Sequence, residues 1–230
     1  MGTIWFLDTN ILASWTIIES RLLETLSSRY SYPSEYQTLY YNKFLSDVTF
    51  VNAVLNPGTE TFARDNEVYV SFLATNELFS AIRDEVLSLK LFHQGVPVSR
   101  WPGEKNRITL TKNESKLIYT ATLSIWGKLF GGNISIIEDD VSACGKYRRN
   151  ENNAAPDSAY WDISAPLMFQ VKNAKTQDIM LLTTAVMNGA DYFVTRDERL
   201  IQAMKDANID LNGLKIIKPD TALLLLGVHR

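Results

Sequence analysis

The chain has 230 residues, 46% hydrophobic and 21% charged, with a net charge of −3. That length and composition fit one large globular domain with a substantial core, and exclude a disordered chain or a general polyanion binder. The single cysteine, Cys144, excludes an intrachain disulfide and suits a reducing compartment, and two distant histidines, His93 and His229, exclude a structural zinc site.

Residues 3–7 read as a buried parallel strand, apolar throughout and stopped by Asp8-Thr9-Asn10. Residues 11–28 carry apolar residues at helical spacing and predict a helix. Pro33 restarts the chain, and Ser34 caps a second helix bearing Tyr36, Leu39, Tyr40 and Phe44, before a looser stretch broken at Asn56-Pro57-Gly58. Residues 67–73 read as the next strand, and Thr75 as the cap of helix 76–90, with Glu77 in its first turn. Residues 93–113 read as loop, 114–130 as helix, 133–137 as strand and 138–163 as an exposed polar loop. Helix 176–188 ends at Gly189, a left-handed C-terminal cap. Strand 191–195, helix 198–207, a last strand at Leu214 to Ile217 and a short C-terminal helix complete the order. Strands separated by helices imply an α/β fold, with a parallel sheet between helical layers.

Four acids far apart in sequence fall where an apolar strand ends or the next helix begins: Asp8, Glu77, Asp178 and Asp197. In a parallel α/β sheet, sites form outside the carboxyl ends of the strands. Carboxylates gathered there repel one another unless a cation neutralises them, and Mg²⁺ or Mn²⁺ is the simplest such cation. Each acid also has an ordinary reading as a helix cap or first-turn residue, and a residue can cap and ligate together. Asp191 is different. It begins its strand, so a five-residue strand would hold it roughly 13–16 Å from the site edge, and its expected role is structural.

The motifs resemble the PIN-domain family of metal-dependent nucleases, which includes VapC-like toxins. Phe6-Leu7-Asp8-Thr9-Asn10 is similar to the family's opening strand and first acid, and Thr75-Asn76-Glu77-Leu78 to its second. Thr176-Gln177-Asp178-Ile179-Met180 is similar to the third, and Gly189 to Asp197 to the fourth-acid segment. Lys215-Ile216-Ile217-Lys218-Pro219 resembles the closing strand. The match covers about 1–90 and 165–220, with 91–165 an enlarged insertion within one domain spanning 1–230. The resemblance implies a three-layer α/β/α fold with a short central parallel sheet. It implies an endoribonuclease whose catalytic and metal-ligating residues are Asp8, Glu77, Asp178 and Asp197. It also implies RNA as substrate, leaves open a toxin with an antitoxin protein as partner, an RNA-maturation nuclease or a defence-associated nuclease, and is compatible with a homodimer.

Around the acids, Asn10 is expected to orient Asp8 or touch substrate, Thr195 to meet a metal-bound water or phosphate, and Arg196 to meet a phosphate. Lys146-Tyr147-Arg148-Arg149 is the strongest local basic cluster, and Glu138-Asp139-Asp140 ends a marginal strand. The aromatic group at Tyr36, Tyr40, Tyr41 and Phe44 reads as core or oligomer surface. A haloacid-dehalogenase-like phosphatase also places an Asp after its first strand, but needs a second acid where this chain has Asn10. A catalytically inactive RNA- or protein-binding module is the competing reading. No leader precedes the first apolar run, and no run reaches the roughly 18 apolar residues that span a bilayer. The expectation is a cytoplasmic protein with no membrane partner.

Overall fold

The computed structural model describes residues 2–55, 66–130, 134–137, 156–172 and 174–228. Five strands form one sheet: β1 (Thr3–Leu7), β2 (Asn66–Ser71), β3 (Ile134–Ile137), β4 (Tyr192–Val194) and β5 (Lys215–Ile217). The sheet order is β3-β2-β1-β4-β5, and every pairing is parallel. Among the described residues, ten α-helices flank it: α1 (Thr9–Glu19), α2 (Leu22–Tyr30), α3 (Ser34–Leu55), α4 (Phe72–His93), α5 (Trp101–Glu104), α6 (Lys112–Phe130), α7 (Pro156–Gln170), α8 (Thr176–Met187), α9 (Glu198–Ala207) and α10 (Pro219–Leu225).

The layers follow from the two-residue period of a strand. In β1, Trp5 and Leu7 face one core with α1, α2, α3, α4 and α6. Phe6 faces the other, with α7, α8 and α9. β4 divides likewise, with Val194 on the first side and Phe193 on the second, where its ring stacks on Phe6 at 5.8 Å. Both faces of the central strands are therefore covered, which explains their apolar runs. The three-layer α/β/α expectation holds.

Asp191 has the structural role expected of it. At the entrance of β4, its Oδ2 accepts the Ile4 N–H at 2.8 Å and fixes β1 beside β4. Gly189 closes α8 at φ 67°, a conformation that a side chain would strain. Of the aromatic group, Tyr36, Tyr40 and Phe44 are buried in the core, whereas Tyr41 is half-buried and donates to Glu24.

Several boundaries differ from the sequence expectation. Helix 11–28 is two helices, because Arg21 adopts a left-handed φ of 53° between α1 and α2. α3 runs unbroken to Leu55 instead of loosening after Phe44, because Phe50, Val51 and Val54 extend its buried face. α4 begins at Phe72, since Ser71 rather than Thr75 caps it by accepting the Leu73 and Ala74 N–H groups. Glu77 consequently lies in the second turn. The 93–113 loop contains a short 3₁₀ turn at Val98–Arg100, the short helix α5, and the start of α6 at Lys112. The part of the expected 138–163 loop that is described, from Pro156, belongs to helix α7. Its apolar residues are scattered round the helix rather than striped, and Pro166 lies inside it, so no period announces it. The stretch expected as insertion supplies α6, whose Ile118, Ala121, Ile125 and Leu129 enter the core, and the edge strand β3.

Phe193→Ala, which empties a fully buried site in β4, is expected to lower the unfolding free energy by about 3–5 kcal/mol. Leu39→Ala, at a position 60% exposed, should change it by no more than about 0.5 kcal/mol. Urea denaturation of the two variants measures the difference.

Candidate functional site

The strand order reverses at β1. The chain leaves β1 toward β2 on one side and returns in β4 on the other. The carboxyl ends of β1 and β4 therefore open a crevice between helices that depart in opposite directions, the usual position of a site in an open parallel sheet. Asp8 lies there, one residue past β1, with its N–H bonded to the Val194 carbonyl at 3.1 Å. It stands at the cap position of α1, yet its side chain caps nothing.

Instead the Asp8 carboxylate is the buried floor of the crevice, 8% exposed. Its Oδ2 accepts the Thr195 hydroxyl at 2.5 Å and the Asn10 amide at 2.6 Å. Thr195 is fully buried, and its oxygen accepts from the Asn10 amide at 3.1 Å and the Asp197 N–H at 3.0 Å. Asn10 and Thr195 thus orient Asp8, as expected of Asn10. Thr195 was expected to face a metal-bound water or phosphate, but its hydroxyl is committed to Asp8.

The other acids stand around this floor, partly exposed. Glu77 Oε2 accepts the Thr9 hydroxyl at 2.9 Å, which ties α4 to the residue next to Asp8. Asp178 Oδ2 accepts the Lys175 N–H at 3.1 Å, making half of a capping box for α8. Asp197 Oδ1 caps α9 through the Arg199 and Leu200 N–H groups, at 2.8 and 3.1 Å. Asp178 and Asp197 therefore serve helix starts, whereas Asp8 caps none and Glu77 lies beyond the first turn of α4.

Electrostatics join the set. Burial pushes the Asp8 carboxyl up to about 7. The Thr195 hydroxyl and the Thr9 N–H oppose this, and the charges of Asp178 and Glu77 add to it. Asp178 is also raised, chiefly by burial, with the charge of Asp197 adding and Lys175 opposing. All four acids are oxygen donors of the kind that hard divalent cations take, and a cation among them would relieve both the burial and the mutual repulsion. The donor set fits Mg²⁺ or Mn²⁺ in kind. As the side chains stand, no three His, Cys, Asp or Glu among the described residues surround a single point as ligands. Closing on an ion requires the outer acids to turn inward.

Arg196 departs from expectation. Its guanidinium does not point along the crevice but pairs with Asp47 of α3. Asp47, fully buried, escaped the sequence reading. The signal was present: α3 buries Tyr36, Tyr40, Phe44, Val51 and Val54 at helical spacing, and position 47 completes that series with a charge. Glu138-Asp139-Asp140, the basic cluster at 146–149, Cys144 and His229 lie outside the described residues. No described helix is long and apolar enough to cross a membrane. Compared with family models, with curated proteins and with solved structures, the chain gives no match.

The raised Asp8 pKa contributes to the pH dependence of the metal-free protein. In the unfolded chain the carboxyl titrates near 3.9. Between about 4 and 7 the folded state holds a proton that the unfolded chain has lost, so stability falls as pH rises through that window. Asp8→Asn in EDTA is therefore expected to be more stable than wild type at pH 8, by about 1–3 kcal/mol, and to lose that advantage near pH 4. Denaturation at the two pH values checks this.

Proposed function

We propose that the protein is a metal-dependent endoribonuclease of the PIN type, which hydrolyses RNA phosphodiester bonds at the crevice between β1 and β4. One observation carries this reading: a buried Asp8, whose charge its surroundings disfavour, lies at the topological switch point with the charges of Glu77 and Asp178 acting on it, and Asp197 acts in turn on Asp178. Asp8, Glu77, Asp178 and Asp197 would hold Mg²⁺ or Mn²⁺. Such an ion supplies a Lewis acid and lowers the pKa of water beside the scissile phosphate.

The protein's own groups do the positioning. Asp8, fixed by Thr195 and Asn10, presents a ligand oxygen from a site closed to bulk water. Glu77 is steered by Thr9, and Asp197 by the first turn of α9. The three outer acids remain reachable from solvent, which leaves the open face of the crevice for the RNA backbone. No histidine lies in this machinery, and the reading needs none. The cellular setting stays open between a toxin restrained by an antitoxin protein, an RNA-maturation nuclease and a defence-associated nuclease.

Incubation with mixed single-stranded RNA is expected to give cleavage with Mn²⁺ and none with EDTA. Asp8→Ala should lower the rate by at least about 100-fold, the scale of losing a main ligand's electrostatic contribution. Because the carboxylates must be charged to hold the ion, the wild-type rate should fall between pH 8 and pH 5. Cleavage indifferent to metal and to Asp8 would remove the reading of a metal-dependent nuclease acting at this crevice. RNA binding without cleavage would identify a catalytically inactive binding module instead.

A further inference from the structure

The fold holds a second buried carboxylate close to the crevice, and the four acids make no use of it. Asp47 faces inward from α3 with its side chain fully excluded from solvent. Its Oδ2 accepts the hydroxyl of Ser14, from α1, at 2.6 Å, and its Oδ1 accepts Arg196 Nε. Arg196 also donates Nη2 to Ser46 Oγ at 3.0 Å, and its guanidinium lies over the Phe44 ring at 5.0 Å. All these partners of the guanidinium come from one stretch of α3.

Arg196 nonetheless belongs to the acidic edge by its backbone. It follows Thr195 and precedes Asp197, and its N–H donates to Asn10 Oδ1 at 3.3 Å. A guanidinium rooted there stands between Asp197, the next residue, and Asp8, which bonds the preceding Thr195, and its planar fork pairs readily with a carboxylate in two bonds. Such a pair would occupy the oxygens that a cation needs and cancel part of the negative charge that attracts it. The pairing with α3 prevents this. Core packing gives little reason for an acid at position 47, because a buried ion pair seldom stabilises a fold more than apolar side chains of like volume. Burial indeed pushes the Asp47 carboxyl up, with Ser14 and Arg196 opposing and Asp220 adding.

We propose that Asp47 is a positioning residue that sequesters Arg196 against α3, and so keeps the carboxylates of the crevice unpaired and open to a divalent cation. The proposal rests on the metal-dependent reading above.

The test is the Mn²⁺ affinity of the initially metal-free protein, measured by titration calorimetry, for wild type, Asp47→Asn, Arg196→Gln and the double variant. Asp47→Asn releases the guanidinium and is expected to weaken Mn²⁺ binding by about tenfold, equivalent to roughly 1.4 kcal/mol. Arg196→Gln should bind as tightly as wild type, and the double variant should regain wild-type affinity. Ser46→Ala loosens the same guanidinium without leaving a charge unpaired. It should give a smaller weakening, again reversed by Arg196→Gln, so the test stands even if Asp47→Asn does not fold. Wild-type affinity in both Asp47→Asn and Ser46→Ala overturns the proposal and leaves the crevice as a metal site. A weakening that Arg196→Gln fails to reverse also overturns it, since the residue then acts on the fold alone. A wild-type protein that binds no Mn²⁺ overturns the metal-dependent reading and this proposal with it.

Discussion

The pairing of β1 on both of its edges is the constraint from which the rest of the structure follows. β2 bonds along one side of it and β4 along the other, all parallel. A parallel strand cannot return directly to its neighbour, so each connection needs a crossover, and crossovers to opposite sides leave a gap at the strand ends. The chain fills that gap with its first acid. The N–H of Asp8 continues the β1–β4 ladder while its side chain turns into the crevice. The register of β1 against β4, which Asp191 helps to fix at the far end, therefore also sets where Asp8 stands relative to Thr195 and Asp197.

That position opposes solvation and charge. A carboxylate beneath a sheet edge has lost most of its water, and here hydroxyl and amide donors compensate it only in part while two further acids work against it. The outer acids stay partly exposed and serve local structure, Asp197 as a cap and Asp178 in a capping box, although burial still raises the Asp178 carboxyl. Local stability and a charged site are thus made from the same side chains. The nearest guanidinium could have discharged the tension, but it is turned onto α3 and held between Asp47, Ser46 and an aromatic ring. The crevice keeps acids whose charged forms the fold disfavours.

The order of strands and most of the helices could be read from the sequence, because burial on both faces makes short parallel strands apolar throughout and helices striped. Where local signals conflict, the reading drifted. Arg21 breaks a helix at a position with no glycine or proline to announce it. Ser71 rather than Thr75 caps α4, because the chain turns from strand to helix without an intervening loop. α7 carries neither stripe nor clean start.

The sequence by itself determined the parallel α/β class and the positions of Asp8 after the first strand and of Asp178 and Asp197 at helix starts, since these follow from local period and from which residues can end a strand. Only the tertiary structure decided that β1 lies between β2 and β4, that Thr195 belongs to Asp8, and that Arg196 belongs to Asp47. The partners in these last two pairs are separated by 187 and 149 residues. A hydrogen bond at that separation depends on how layers pack and in which register strands pair, and a propensity acting over a few residues carries no information about either.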